Sequence, residues 1–287
     1  MKGHRAVGIC VVAILALTVF ASLFSGSVYA ITGNYMPDEG KHPYVCLVAF
    51  YDENEEFLWR TTGSLLSSTV VLTAGHGTDG AEYAAIWVDE EIVYDPDNPD
   101  PDGYPNLHAV NAYEGVPFTM PGFGYHVGNN GLFGFIANDV GIVMLSEPVP
   151  EAIVSEYGDL PSVGVVDGLR VGTGVTFVGY GVQYQVKPKN NGGPYGAWTG
   201  DRARFYTTAQ LLSNKFAISD TFIQCSANAA QGKGGTAFGD SGGPVLLGDS
   251  DTILAVTSFG PDANCAAVGY YCRIDTPEVL GWIVTFL

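Results

Sequence analysis

Past residue 40, the apolar residues come in short runs closed by turn formers. Examples are YVCLVAFY (44–51), SLLSSTVVLTA (64–74), YAAIWV (83–88), VGIVML (140–145), GVTFVGYG (174–181), ARFYTTAQLL (203–212), PVLLG (244–248), TILAVTSFG (252–260) and GYYCRID (269–275). Runs this short, rich in β-branched and aromatic residues and bounded by Gly, Pro, Asn or Asp, read as strands of a sandwich or barrel. The 38 glycines and 16 prolines among 287 residues supply the turns that such a fold needs. Only the tail, TPEVLGWIVTFL (276–287), reads as a helix, with Thr276 as N-cap and Pro277 at the first helical position. EPVPEAIVSEYGDLPSVG (147–164) reads as a connector between two halves, and no internal repeat is present.

Residues 1–30 read as a secretion signal. Lys2, His4 and Arg5 form a basic start, an apolar stretch follows (6–24), and Val28-Tyr29-Ala30 ends it with a cleavage pattern. The alternative is an uncleaved anchor, since the apolar stretch is just long enough to span a bilayer. No basic stop-transfer cluster follows it, and cleavage after Ala30 is the expectation. Loss of Lys2 and Arg5 leaves 10 basic against 30 acidic residues, a net charge of about −20. That charge argues against nucleic acid or an anionic membrane surface as partner. Four cysteines remain (Cys46, Cys225, Cys265, Cys272), an even number that permits two disulfides in an exported chain.

GDSGGP (239–244) is the hexapeptide most suggestive of chemistry. A serine hydroxyl needs a neighbouring base and donors placed where an oxyanion forms. Glycines beside it let backbone N–H groups turn inward, although a Gly-rich turn can also be only a turn. The nucleophile elbow of α/β-hydrolases shares the pattern but places its histidine after the serine, and no histidine follows Ser241. This order also argues against an esterase of that fold. The base must lie upstream. TAGH (73–76) presents His76 just beyond an apolar strand, whereas His42, His108 and His126 sit in turn-like sequence and read as surface residues. ANDVGIVML (137–145) sets Asp139 at a strand entry, where it could be the buried carboxylate that orients the imidazole or simply a turn residue.

Taken together, TAGH, NDVGIVML and GDSGGP resemble, in order, the signature segments of the chymotrypsin-like (trypsin-fold) serine peptidases. GYG (179–181), TSFG (257–260), GYYCRI (269–274) and the closing helix with Trp282 extend the resemblance over nearly all of 31–287. The resemblance implies an all-β fold of two six-stranded antiparallel β-barrels with a C-terminal helix. The division would fall at about 31–152 for the first barrel and 153–287 for the second barrel and helix. It implies a monomeric, secreted endopeptidase acting on protein or peptide, with no cofactor required. Ser241 would be nucleophile, His76 general base and then acid, and Asp139 the orienting carboxylate. Gly239 and Ser241 N–H groups would form the oxyanion hole, Ser258 would support Asp139, and the backbone of 258–260 would hold an extended substrate. The rival reading is a catalytically silent binding or adhesion protein on the same fold.

The resemblance also implies a specificity pocket at Gly235, Gly260 and Gly269. Glycine rather than aspartate at 235 implies an open, neutral slot for aromatic or large aliphatic side chains rather than Arg or Lys. Thr61, Gly77 and Ala237 stand where relatives carry cysteines, so Cys265 lacks its usual mate. Cys225 and Cys272 fall on segments that are neighbouring strands in the family, which permits a bridge; four reduced, buried thiols are the other outcome. Asp95, Asp97, Asp100 and Asp102 in DPDNPDPDGYPN (95–106) offer hard oxygen ligands for Ca²⁺, the alternative being a solvated insertion. Finally, ITGN (31–34) resembles the family's mature start, whose α-amino group pairs with the aspartate before the nucleophile. Here that pair would be Ile31 and Asp240, and signal cleavage would itself activate the chain.

Overall fold

The computed structural model describes residues 31–92, 111–126, 135–186, 197–214, 217–261, 265–266 and 268–287. The chain starts with a two-residue strand, β1 (Met36–Pro37). It then builds β2 (Val45–Tyr51), β3 (Phe57–Leu65), β4 (Val70–Thr73), β5 (Tyr83–Trp87) and β6 (Tyr113–Thr119). A small hairpin of β7 (Gly124–His126) and β8 (Phe135–Ala137) precedes β9 (Gly141–Leu145). β2, β3, β4, β9, β6 and β5, in that order, close a six-stranded antiparallel barrel. The second half contributes β10 (Gly174–Gly179), the side hairpin β11 (Tyr184–Val186) and β12 (Ala197–Thr199), then β13 (Phe205–Ser213) and β14 (Phe222–Ser226). β15 (Pro244–Leu247), β16 (Ile253–Phe259) and β17 (Val268–Arg273) follow. The strand order β13, β10, β15, β16, β17, β14 closes a second barrel through the β13–β14 pairing.

The expected fold class is therefore the observed one, and local sequence explains its parts. β13 alternates buried and half-buried residues over most of its length, as a strand with one face on a core must. All seven residues of β2 are buried, so it reads as an unbroken apolar run. The run 64–74 is two strands, because residues 66–69 turn between β3 and β4. β6 carries Pro117 without penalty. Its pairing with β5 ends at Gly115, so no partner on that side needs the missing N–H.

The chain ends do not follow the division at 152. β1 pairs with β13, and Ile31 is buried in the second-barrel core with Val166, Val175, Phe177 and Leu254. Residues 31–37 therefore belong with the second barrel rather than the first, because their apolar side chain and their hydrogen bonds are satisfied there. The closing helix, α2 (Pro277–Ile283), goes the other way. Its N-cap is Thr276, whose hydroxyl accepts from Val279 N–H, as expected. It buries Val279 and Ile283 in the cluster built mainly from first-barrel strands, and just after it Phe286 meets Phe118 of β6 at 5.3 Å.

A buried ion cluster also ties the barrels together. Arg204 Nε donates to Asp38 Oδ2 (2.8 Å), and its Nη1 donates to the carbonyl of Val45 and the hydroxyl of Tyr180. His42 is not the surface residue expected from its turn-like setting: its Nδ1 lies 2.5 Å from Asp38 Oδ1 and its side chain is 12% exposed. Burial works against the Asp38 charge, but His42 and Arg204 together hold its carboxyl below the usual range. Asp38→Ala would strand a buried guanidinium. We expect it to destabilise the fold by about 3–5 kcal/mol, measured by denaturant unfolding.

Candidate active site

His76 sits on a single helical turn, α1 (Gly75–Thr78), directly after β4. The neighbouring residues must be small. A Cβ at Gly75 would press on the Phe123 ring and the Val140 backbone, and one at Gly77 on Thr61 and the Phe50 ring. Asp139 enters from the start of β9. Asn138 before it adopts a left-handed conformation (φ 50°), which Asn tolerates, and its side-chain amide donates to the carbonyl of Pro121 (2.9 Å). This turn aims the Asp139 carboxylate, which is fully buried, at the imidazole.

The carboxylate accepts the His76 backbone N–H at 2.7 Å and the Ser258 hydroxyl at 2.5 Å, and both its oxygens lie about 3 Å from His76 Nδ1, at 3.0 and 2.9 Å. An ionised carboxylate only accepts, so Nδ1 carries the ring proton and Nε2 keeps its lone pair. Burial opposes charge on both groups. For His76 the hydrogen bond and charge of Asp139 outweigh it and raise the imidazole pKa. For Asp139 the His76 and Ser258 contacts outweigh it and lower the carboxyl pKa.

Ser241 lies in a tight turn before β15. The turn's own carbonyls and Thr257 occupy three of its amides: Asp240 N–H donates to Ala237, Gly243 N–H to Asp240, and Gly242 N–H to Thr257. Among the described residues, no protein acceptor takes the N–H of Gly239 or of Ser241. Gly239 has φ 96°, which its lack of a Cβ permits, and Thr62 Oγ1 pins its carbonyl at 2.9 Å. Asp240 points beneath the turn, where Gly181 and Ala237 N–H groups each donate to its carboxylate at 2.8 Å. A side chain at residue 179 or 181 would strike that carboxylate, which accounts for the Gly-Tyr-Gly sequence. Burial pushes the Asp240 carboxyl up to about 6, against the two amides and the charge of Arg60.

Next to this turn lies a pocket of about 270 Å³ whose lining includes His76, Ser241, Ser258, Gly260 and Gly269. Gly235 is not part of the lining. It lies behind Ala227, whose methyl a Cβ at 235 would strike, so Ala227 and Thr236 take its place in the wall. Ala227, Thr236, Phe238 and Val268 carry no motif that marks them, and Phe259 is marked only for its backbone within 258–260; residues distant in the chain meet here. A Cβ at Gly269 would collide with the hydroxyl of the buried Tyr271.

Among the described residues no cysteine is in a disulfide. β14 and β17 are indeed neighbours, but Cys225 faces Gly269 and Cys272 faces Phe222. The offset of three puts the two thiols on opposite faces: Cys225 lies in the second-barrel core, Cys272 in the other cluster. Geometry therefore excludes a Cys225–Cys272 bridge. Residues 1–30 and the acidic stretch 95–106, with Asp95, Asp97, Asp100 and Asp102, lie outside the described residues. Among the described residues no hydrogen bond or ion pair joins Ile31 to Asp240. Ile31 is buried with φ 44°.

The Trypsin family model matches residues 31–283. Serine protease 1 and Serine protease 2 of Drosophila melanogaster are each 27% identical over 255 residues, covering 88% of this chain and 84% of theirs. Brachyurin of Leptuca pugilator is 28% identical over 229 residues, covering 78% and 85%. Two solved structures share the fold. HL collagenase has a TM-score of 0.61 at 18% identity, covering 90% of this chain and 97% of its own. The scabies mite inactivated protease paralogue S-I1 has a TM-score of 0.56 at 20% identity, covering 88% and 97%. With a family match that begins at Ile31 and takes in both barrels, the chain belongs to the trypsin family of serine proteases.

Proposed function

We propose that this chain is a secreted serine endopeptidase that cuts peptide bonds through an acyl-enzyme. The observation that carries the reading is the buried Asp139 carboxylate holding His76 Nδ1, with the imidazole on the wall of the pocket that also contains Ser241. His76 Nε2 takes the proton of Ser241 Oγ as that oxygen attacks the substrate carbonyl. The negative charge that develops on the carbonyl oxygen meets the N–H groups of Gly239 and Ser241. The protonated imidazole then gives its proton to the leaving amine, leaving the acyl group on Ser241. Water, deprotonated by His76, releases the acid and restores the serine. Ser258 positions Asp139.

The pocket supports a preference for aromatic or large aliphatic residues before the cut bond. Its described side chains include Phe238, Phe259 and Val268, and among the described lining residues none carries a carboxylate that would pair with Arg or Lys. The secreted location rests on residues 1–30, and the stretch 95–106 takes no part in this reading.

A fluorescent serine-directed phosphonate should label Ser241 in the mature protein, with the site read by peptide mass spectrometry. A peptide library should show cutting mainly after Phe, Tyr or Leu. Absence of labelling would move the assignment to a silent binding protein on this fold. Dominant cutting after Arg or Lys would overturn the pocket assignment while leaving the enzyme.

A further inference from the structure

The pocket has two walls that are far apart in sequence. One is the stretch 236–238 before the nucleophile turn; the other includes Gly260, Cys265, Val268 and Gly269. No disulfide joins them. The second wall also contains a costly conformation. Cys265 has φ 53°, in the left-handed region where a residue with a Cβ stays only if its surroundings hold it.

Thr32 supplies such a hold. Its carbonyl accepts the Gly235 N–H at 2.8 Å, one residue before the first wall. Its hydroxyl donates to the carbonyl of Cys265 at 2.8 Å and lies 3.4 Å from that of Gly235. One residue thus bonds to the base of both walls. It is itself fixed on both sides. Ile31 before it is buried in the second-barrel core. Asn34 after it donates from its side chain to Ala229 (2.8 Å), while its carbonyl accepts the Thr207 hydroxyl (2.9 Å). Valine has the shape of threonine without the hydroxyl, so the bond to Cys265 is a property of this side chain and not of the backbone path.

We propose that Thr32 is a positioning residue that clamps the two walls of the pocket and thereby sets the size of the apolar side chain the pocket accepts. This rests on the reading that the pocket receives the residue before the cut bond, but the clamp can be measured without catalysis. Cys265 is the partly exposed cysteine of the second wall, whereas Cys46, Cys225 and Cys272 are fully buried. Its rate of alkylation by iodoacetamide therefore reports how well that wall is held.

The comparison is between mature wild type, Thr32→Val and Thr32→Ser, each with its N-terminus and its folded state verified. Loss of one hydrogen bond of ordinary strength corresponds to about a fivefold change. Thr32→Val should raise the Cys265 alkylation rate about fivefold. It should raise KM about fivefold for a peptide with Phe before the cut bond, with kcat nearly unchanged. The preference for Phe over Ala at that position should narrow by the same factor. Thr32→Ser should restore all three.

An alkylation rate within twofold of wild type in Thr32→Val overturns the clamp. A faster rate with unchanged preference in an active enzyme overturns its part in selectivity. If none of the proteins cuts any peptide, the peptidase reading has failed, and the alkylation rates alone decide whether Thr32 holds the wall.

Discussion

Asp139→Asn is expected to lower kcat about 10⁴-fold while leaving the fold intact. Asp139 receives donors from His76 N–H, His76 Nδ1 and Ser258 Oγ. An amide in its place turns one acceptor into a donor. The Ser258 hydroxyl can rotate to accept, but the backbone N–H of His76 cannot, so the amide oxygen stays toward the backbone. The amide N–H₂ then faces the ring and holds Nδ1 as the acceptor. The ring proton moves to Nε2, and the imidazole cannot take a proton from Ser241. Ser241→Ala should cost more, about 10⁶-fold, since it removes the attacking atom itself. Steady-state kinetics on a peptide with Phe before the cut bond test both, with phosphonate titration counting competent sites. The pH profile adds an independent check. His76 must be neutral to act as base and its pKa is raised, so kcat/KM should fall as pH drops through a value above the ~6.5 of an ordinary imidazole. In Asp139→Asn that limb should move to lower pH, because the carboxylate that favoured the imidazolium is gone. Activity within tenfold of wild type in Asp139→Asn would mean that another group orients His76.

Most of this centre was legible because its chemistry imposes local sequence. The helical turn at His76 tolerates only small neighbours, so TAGHG is a local signature of a packed site. The turn at Ser241 needs φ 96° at Gly239 and φ 76° at Gly242, and those glycines are visible in the sequence. The apolar strands were visible wherever both faces are buried or the alternation is clean, as in β2 and β13. β6 has no readable run, and β14 is legible only through the family resemblance that places Cys225 on a strand. YEGVPFT carries Glu114, Gly115 and Pro117, and FIQCS is five residues long, so neither has a period to read. What sequence could not supply was pairing at a distance. His42 reads as a turn residue until Asp38 and Arg204 close around it. Cys225 and Cys272 sit on adjacent strands, yet the register that separates them depends on how β14 and β17 align. Gly235 was matched to the pocket floor by its distance from Ser241, but Ala227, from another segment, lies between it and the cavity.

Adding one alanine before Ile31 is expected to lower kcat about 10²–10³-fold, the usual cost of losing one oxyanion donor. In the uncut chain the amide of Ile31 belongs to a peptide bond, and its φ of 44° is strained for a β-branched residue. Hydrolysis after Ala30 removes the carbonyl carbon that defines this angle, and it creates an ammonium close to the second-barrel core. On the expectation that the two pair, Asp240 would be the carboxylate that takes this charge. It is buried, its carboxyl is pushed up to about 6, and the turn built on it contains Gly239 and Ser241. Pairing would hold Asp240 ionised and keep the Gly239 N–H aimed at the substrate. The sign of the pH effect follows from the amine. Its ordinary pKa is ~7.7–8.0, and a buried anionic partner raises it. The active arrangement is then fully present below the ordinary value and is lost as pH rises through the raised one, giving an alkaline limb that the imidazole cannot produce. Asp240→Asn should cost a similar factor and abolish that limb. The decisive measurement is the combination. If extension and Asp240→Asn break one pair, the doubly altered protein loses little more than either alone. If the losses multiply, the chain start and Asp240 act separately, and signal cleavage is not the switch.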